Sequence, residues 1–130
     1  MGYRSNVALS ISDEGLEYFF DTAEEYMKKN KYDKRDKRVF HELFDVYAKE
    51  KAHKGGGMIY MWQDIKWYEF TTCPEIWCVM NVLEQIKIEG KYAYIFVRIG
   101  EDYDDVVYDE SYGDGTNYAP YIEIERKIIF

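Results

Sequence analysis

Lys91-Tyr92-Ala93-Tyr94-Ile95-Phe96-Val97-Arg98-Ile99 is dense in β-branched and aromatic residues and reads as a strand. Strand alternation sets Tyr92, Tyr94, Phe96 and Arg98 on one face and Ala93, Ile95, Val97 and Ile99 on the other. The aliphatic set is the better core. If helices cover it, the opposite face is able to expose its aromatic rings, together with Trp67 or Trp62 from an upstream hairpin; the favoured reading instead packs those rings under the second helix or a long loop, or against another copy of the chain.

Immediately upstream, Thr72-Cys73-Pro74-Glu75 has the form of a capping box with a proline tolerated in the first turn. Ile76, Val79, Met80, Leu83 and Ile86 continue it as a helical stripe, which Glu89-Gly90 closes. Downstream, strands are expected near Asp105 to Asp109 and Tyr121 to Ile129, joined by the turn-rich Gly113-Asp114-Gly115-Thr116-Asn117.

Nearer the start, Val7, Leu9 and Ile11 alternate with polar or small residues and predict a half-buried strand from Arg4 to Ile11. Ser12 is placed to cap a helix carrying Leu16, Phe19, Phe20, Ala23 and Met27, ending near Asn30. A second helix is expected from about Asp36 to Ala52 on the stripe Val39, Phe40, Leu43, Phe44 and Tyr47. Gly55-Gly56-Gly57 reads as a hinge between a helical and a strand-rich part. Met58 to Trp62 and Ile65 to Tyr68 then flank Gln63-Asp64, which suggests a hairpin.

This order predicts one α+β domain over residues 1–130, with a mainly antiparallel sheet and its helices packed on one face. It contains βαββαβ as a subsequence, a ferredoxin-like core elaborated by an added helix and extra C-terminal strands. A chain of 130 residues with 47% hydrophobic content is long and apolar enough for one packed core. No run reaches the roughly 18 apolar residues of a membrane span, and no basic-then-apolar leader opens the chain. The expected location is the cytoplasm of a host cell. Cys73 and Cys78 suit reduced thiols, and with His41 and His53 they show no metal-ligand spacing.

The net charge of −8 is segregated: Lys28 to Lys54 carries ten Lys/Arg against five Asp/Glu, while Glu101 to Glu125 carries nine acidic residues and no Lys or Arg. Such a charge dipole steers partners. Glu101, Asp102, Asp104 and Asp105 follow the aromatic strand as a cluster able to act as a solvated turn, to approach a divalent cation, or to imitate a phosphate array on a basic protein surface. The aromatic set Trp67, Tyr92, Tyr94, Phe96 and Arg98 has the composition of a base-stacking sheet, but the acidic balance weighs against nucleic acid. Fourteen tyrosines suit protein interfaces. No nucleophile elbow and no His-Glu-x-x-His occurs, so no residue is nominated as catalytic, and no cofactor or metal is called for.

The opening Met1-Gly2-Tyr3-Arg4-Ser5, Ile65-Lys66-Trp67-Tyr68, Arg98-Ile99-Gly100-Glu101-Asp102 and Arg126-Lys127-Ile128 resemble a group of small phage and prophage proteins. The resemblance implies origin on a mobile element and brings no catalytic residues. The leading expectation is a non-enzymatic accessory protein that binds a host or phage protein, one version being an inhibitor of host defence or nucleic-acid-handling machinery. The alternatives are a single-strand binder using the aromatic face and a metal-dependent enzyme using the acidic cluster. The apolar ending Ile128-Ile129-Phe130 adds the expectation of a homodimer paired along a terminal edge strand, the competing reading being that Phe130 folds back into its own core beside the first strand.

Overall fold

The alternating residues Ser5–Ser12 form β1, the middle strand of the fold. The computed structural model describes residues 4–67, 73–102, 104–114, 119–124 and 128–129. After β1 come helices α1 (Asp13–Lys29) and α2 (Lys34–Asp45), strands β2 (Glu50–Lys54) and β3 (Gly57–Ile65), helix α3 (Pro74–Glu89), strands β4 (Ala93–Gly100) and β5 (Val106–Tyr112), and the short strands β6 (Glu123–Ile124) and β7 (Ile128–Ile129). Five strands make one antiparallel sheet in the order β2-β3-β1-β4-β5. The order β2-β3-β1-β4, with α1 after β1 and α3 after β3, is the ferredoxin-like arrangement, to which α2 and β5 are additions.

Local chemistry sets the element ends. The Ser12 hydroxyl accepts the Gly15 amide at 3.1 Å, Asp13 and Glu14 occupy the positive end of α1, and Lys28 and Lys29 its negative end. Asp33 caps α2 by accepting from the Asp36 amide at 2.8 Å. Pro74 opens α3, with Cys73 at the cap position; Thr72 of the expected capping box lies outside the described residues. Gly90 closes α3 at φ 71°, a left-handed conformation that costs glycine little.

The helices cover the aromatic face, not the aliphatic one that composition made the better core, and the rings pack beneath α2 as the favoured reading has it. Tyr94 and Phe96 are fully buried, in one cluster with Val7, Leu9 and Ile11 of β1, Trp62 of β3, Phe19 of α1, and Phe40 and Phe44 of α2. The Trp62 indole donates to the Leu43 carbonyl at 2.7 Å, which ties β3 to α2. Large rings fill the deep space between sheet and helices. The aliphatic face is covered by a strap, residues 119–122: Ile122 packs with Ala8, Ile59, Met61, Val97 and Ile99, and the Ser10 hydroxyl donates to the Pro120 carbonyl at 2.5 Å.

Three element boundaries also differ from expectation. Helix α2 stops at Asp45, and Glu50–Lys54 pairs with β3 instead of extending the helix, because sheet pairing outweighs the weak preference of a polar segment. The hairpin turn is Gly55-Gly56, at φ 59° and 81°, and β3 runs unbroken through Gln63 and Asp64. Two consecutive positive φ angles suit a tight hairpin, and glycine reaches them without strain. Asp64 does take φ 50°, but beside a register shift opposite Ser5–Val7 rather than in a turn. Finally, Tyr121 to Ile129 is not one strand at the sheet edge: β6 and β7 pair with each other, and β7 lies near β1. Phe130 lies outside the described residues.

Strand β5 is fastened to the helix layer by Asp109. Its carboxylate accepts the Lys87 ammonium at 2.6 Å through Oδ1 and the Tyr94 hydroxyl at 2.7 Å through Oδ2. Burial alone would raise the Asp109 carboxyl, but these two donors outweigh it and hold the carboxyl below its ordinary value. Burial, and then the bond to Asp109, push the Tyr94 hydroxyl far upward.

Two outcomes follow from this packing. A Cβ at Gly57 would lie 2.5 Å from the Ile11 carbonyl oxygen and 2.6 Å from Pro120 Cδ. Gly57→Ala is therefore expected to cost about 1 to 3 kcal/mol in urea unfolding; an unchanged midpoint would mean that neither the Ile11 carbonyl nor Pro120 presses on Gly57. A carboxyl with a lowered folded pKa contributes stability that is present above its unfolded value, about 3.9, and is lost as pH falls through the lower folded one. Asp109→Asn should cost about 1 to 3 kcal/mol at neutral pH and make the acid-side loss of stability shallower; an identical acid limb would show that the Lys87 and Tyr94 contacts do not discriminate charge.

Candidate protein interface

The residues expected to form a base-stacking face are placed in the interior. Trp67, Tyr94 and Phe96 are buried, with Trp67 in ring contact with Trp62 at 5.4 Å and with Phe96 at 5.9 Å. The Trp67 Nε1 is a buried donor without a partner among the described residues. Tyr92 is half-buried, tilted against Tyr18 at 5.0 Å, with the Lys91 ammonium 5.5 Å from its ring centroid. These rings offer no open stacking surface, which corrects the alternative reading of them as a platform and agrees with the favoured one, in which they pack inside.

Arg98 and the acidic turn form a structural clamp. The guanidinium binds Asp105 in fork fashion, Nη1 to Oδ2 at 3.1 Å and Nη2 to Oδ1 at 3.0 Å, and reaches the Ser5 hydroxyl at 3.4 Å. Asp105 is thereby spent on holding the turn between β4 and β5, an arrangement that planar guanidinium geometry favours. Glu101 accepts the Arg4 amide at 2.9 Å, and Glu101, Asp102 and Asp104 have exposed side chains. Among the described residues no group of three or more His, Cys, Asp or Glu converges to hold a metal ion. Burial pushes the Cys78 thiol up to about 12, so it is not a thiolate at neutral pH.

Directly after this clamp lies β5, the last strand of the sheet. Among the described residues no strand pairs with its outer edge. Its even-numbered residues share the face of Val97 and Ile99, opposite the helices, as the register with β4 requires. There Val106 is 44% exposed, Tyr108 47% and Tyr112 77%, with Tyr121 of the strap at 75%. Exposed apolar and aromatic surface along an unpaired strand is the composition of a contact surface.

Glu110 sits between the two strand tyrosines and accepts both hydroxyls, Tyr112 at 2.5 Å and Tyr108 at 2.7 Å. The bonds from Tyr112 and then Tyr108 hold its carboxyl below the usual range, while the bond to Glu110 lifts Tyr108 to about 12, with burial a smaller cause. The trio is therefore a fixed negative charge flanked by neutral phenols through the physiological range. At the opposite side of the sheet, β2 carries Lys51, His53 and Lys54. Glu50 shares that strand, and most of the basic residues of the Lys28 to Lys54 stretch lie on α1 and α2.

Sequence reasoning singled out the acidic turn but missed Tyr108, Glu110, Tyr112 and Tyr121. The available signal was their spacing: Tyr108, Glu110 and Tyr112 recur at period two, which carries the strand expected near Asp105 to Asp109 on to Tyr112. Among the described residues no helix is long and apolar enough to cross a membrane. No family model, curated protein or solved structure matches the chain.

Proposed function

We propose that this chain is a non-enzymatic binding protein whose β5 edge takes a basic, extended segment of a partner protein as an additional strand. The carrying observation is the unpaired edge that displays Val106, Tyr108 and Tyr112 around the Glu110 carboxylate. Strand addition draws affinity from main-chain hydrogen bonds and specificity from alternate side chains, and both are offered here. Exposed tyrosine supplies contact area with a hydroxyl, and the ionised carboxylates of Glu110 and the adjoining turn select a positively charged partner. The resemblance to phage and prophage proteins makes a host protein that handles nucleic acid the natural class of partner, since its working surface is basic.

A pull-down from host lysate with the purified chain is expected to recover a stoichiometric partner that high salt releases. Glu110→Lys combined with Tyr112→Ala should weaken its retention by about tenfold or more, because one change reverses the central charge and the other removes contact area. Retention of the same partner by the double variant, or failure to recover any partner, would count against this role.

A further inference from the structure

We infer that, when no partner occupies it, the β5 edge pairs with the β5 edge of a second copy around a two-fold axis at Asp109. This rests on the reading of β5 as a binding edge and adds what covers that edge at rest. The argument comes from register. A two-fold axis normal to the sheet keeps the helices of both copies on one side, so residues opposite each other must come from the same face. For β5 this leaves registers centred on a residue rather than between two, and those with the most overlap are centred on Tyr108, Asp109 or Glu110.

Centring on Glu110 sets the two Glu110 carboxylates against each other, which like-charge repulsion opposes. Centring on Tyr108 leaves the end of the strand unpaired. Centring on Asp109 pairs all seven residues of Val106–Tyr112 with their counterparts. On the face away from the helices, Val106 then meets Tyr112 of the second copy, and Tyr108 meets Glu110, each contact occurring twice. On the helix face Val107 meets Ser111.

The one like pair, Asp109 against Asp109, is compensated within each copy, since Lys87 and Tyr94 already occupy both carboxylate oxygens. The strand is thus complementary to itself in the single register that uses its whole length. The product is a ten-stranded sheet from two five-stranded ones.

The test is light scattering on the full chain at tens of micromolar over a salt series, with Tyr108→Lys and Tyr108→Glu beside it. Tyr108 is 47% exposed, so neither change disturbs the core, and circular dichroism confirms the fold. The intact chain should be a dimer that tightens with salt, because each copy carries a net charge of −8 and screening relieves their repulsion. Tyr108→Lys sets an ammonium opposite Glu110 twice and should tighten the dimer roughly tenfold; Tyr108→Glu should return it to a monomer.

A basic partner responds with the opposite signs, gaining from Tyr108→Glu and losing from Tyr108→Lys, so failure of one idea is separable from failure of the other. Monomeric mass for both the intact chain and Tyr108→Lys, or a dimer that Tyr108→Glu leaves unchanged, would overturn the self-pairing.

Discussion

Phe44 is the contact on which the layering depends. Its ring lies 5.6 Å from Phe19 and 5.2 Å from Phe20 of α1, 5.4 Å from Phe40 within α2, and 5.2 Å and 5.5 Å from Tyr60 and Trp62 of β3. Through Trp62 the ring contacts continue to Trp67 and Phe96. Edge-to-face pairs of this kind add about 0.5 to 1.5 kcal/mol each beyond the burial of their area. Several share one ring, so they decide as a group which face of the sheet becomes interior. Once the aromatic face is committed to the helices, its rings are closed to partners.

The two edges of the sheet are managed differently. Strand β2 is short and carries charged side chains, which discourages pairing with another chain. Strand β5 is longer, holds its acidic groups on internal partners and leaves tyrosine and valine exposed. Asp109 and Asp105 are both neutralised within the chain, by Lys87 and Arg98, so part of the acidic segment is structural. Glu110 is held ionised between its two tyrosines, and the side chains of Glu101, Asp102 and Asp104 are exposed in the turn. Chemistry that stabilises the hairpin is therefore also what holds the proposed binding edge in place.

Much of the fold was legible because its periodicities are strong. The alternation of Val7, Leu9 and Ile11, the stripe of Phe19, Ala23 and Met27, and the Pro74 and Gly90 boundaries of α3 all correspond to the elements that form. Alternation in β4 correctly separated its two faces but held no information about which one the helices cover, since that depends on the depth of the opposing layer. Strand β2 was illegible because Glu50–Lys54 is polar throughout and owes its conformation to pairing with β3. Charge marked the acidic turn, whereas the fork between Arg98 and Asp105 depends on a hairpin register that no local pattern encodes.

The claim that the aromatic face is interior is tested most directly by tryptophan emission. Trp62 and Trp67 are 1% and 5% exposed, whereas Trp77 on the outer side of α3 is 40% exposed. In Trp77→Phe the two remaining indoles should emit at short wavelength and resist quenching by acrylamide until the protein is unfolded. Red-shifted emission with ready quenching in the folded variant would place Trp62 or Trp67 in solvent and contradict the layering described above.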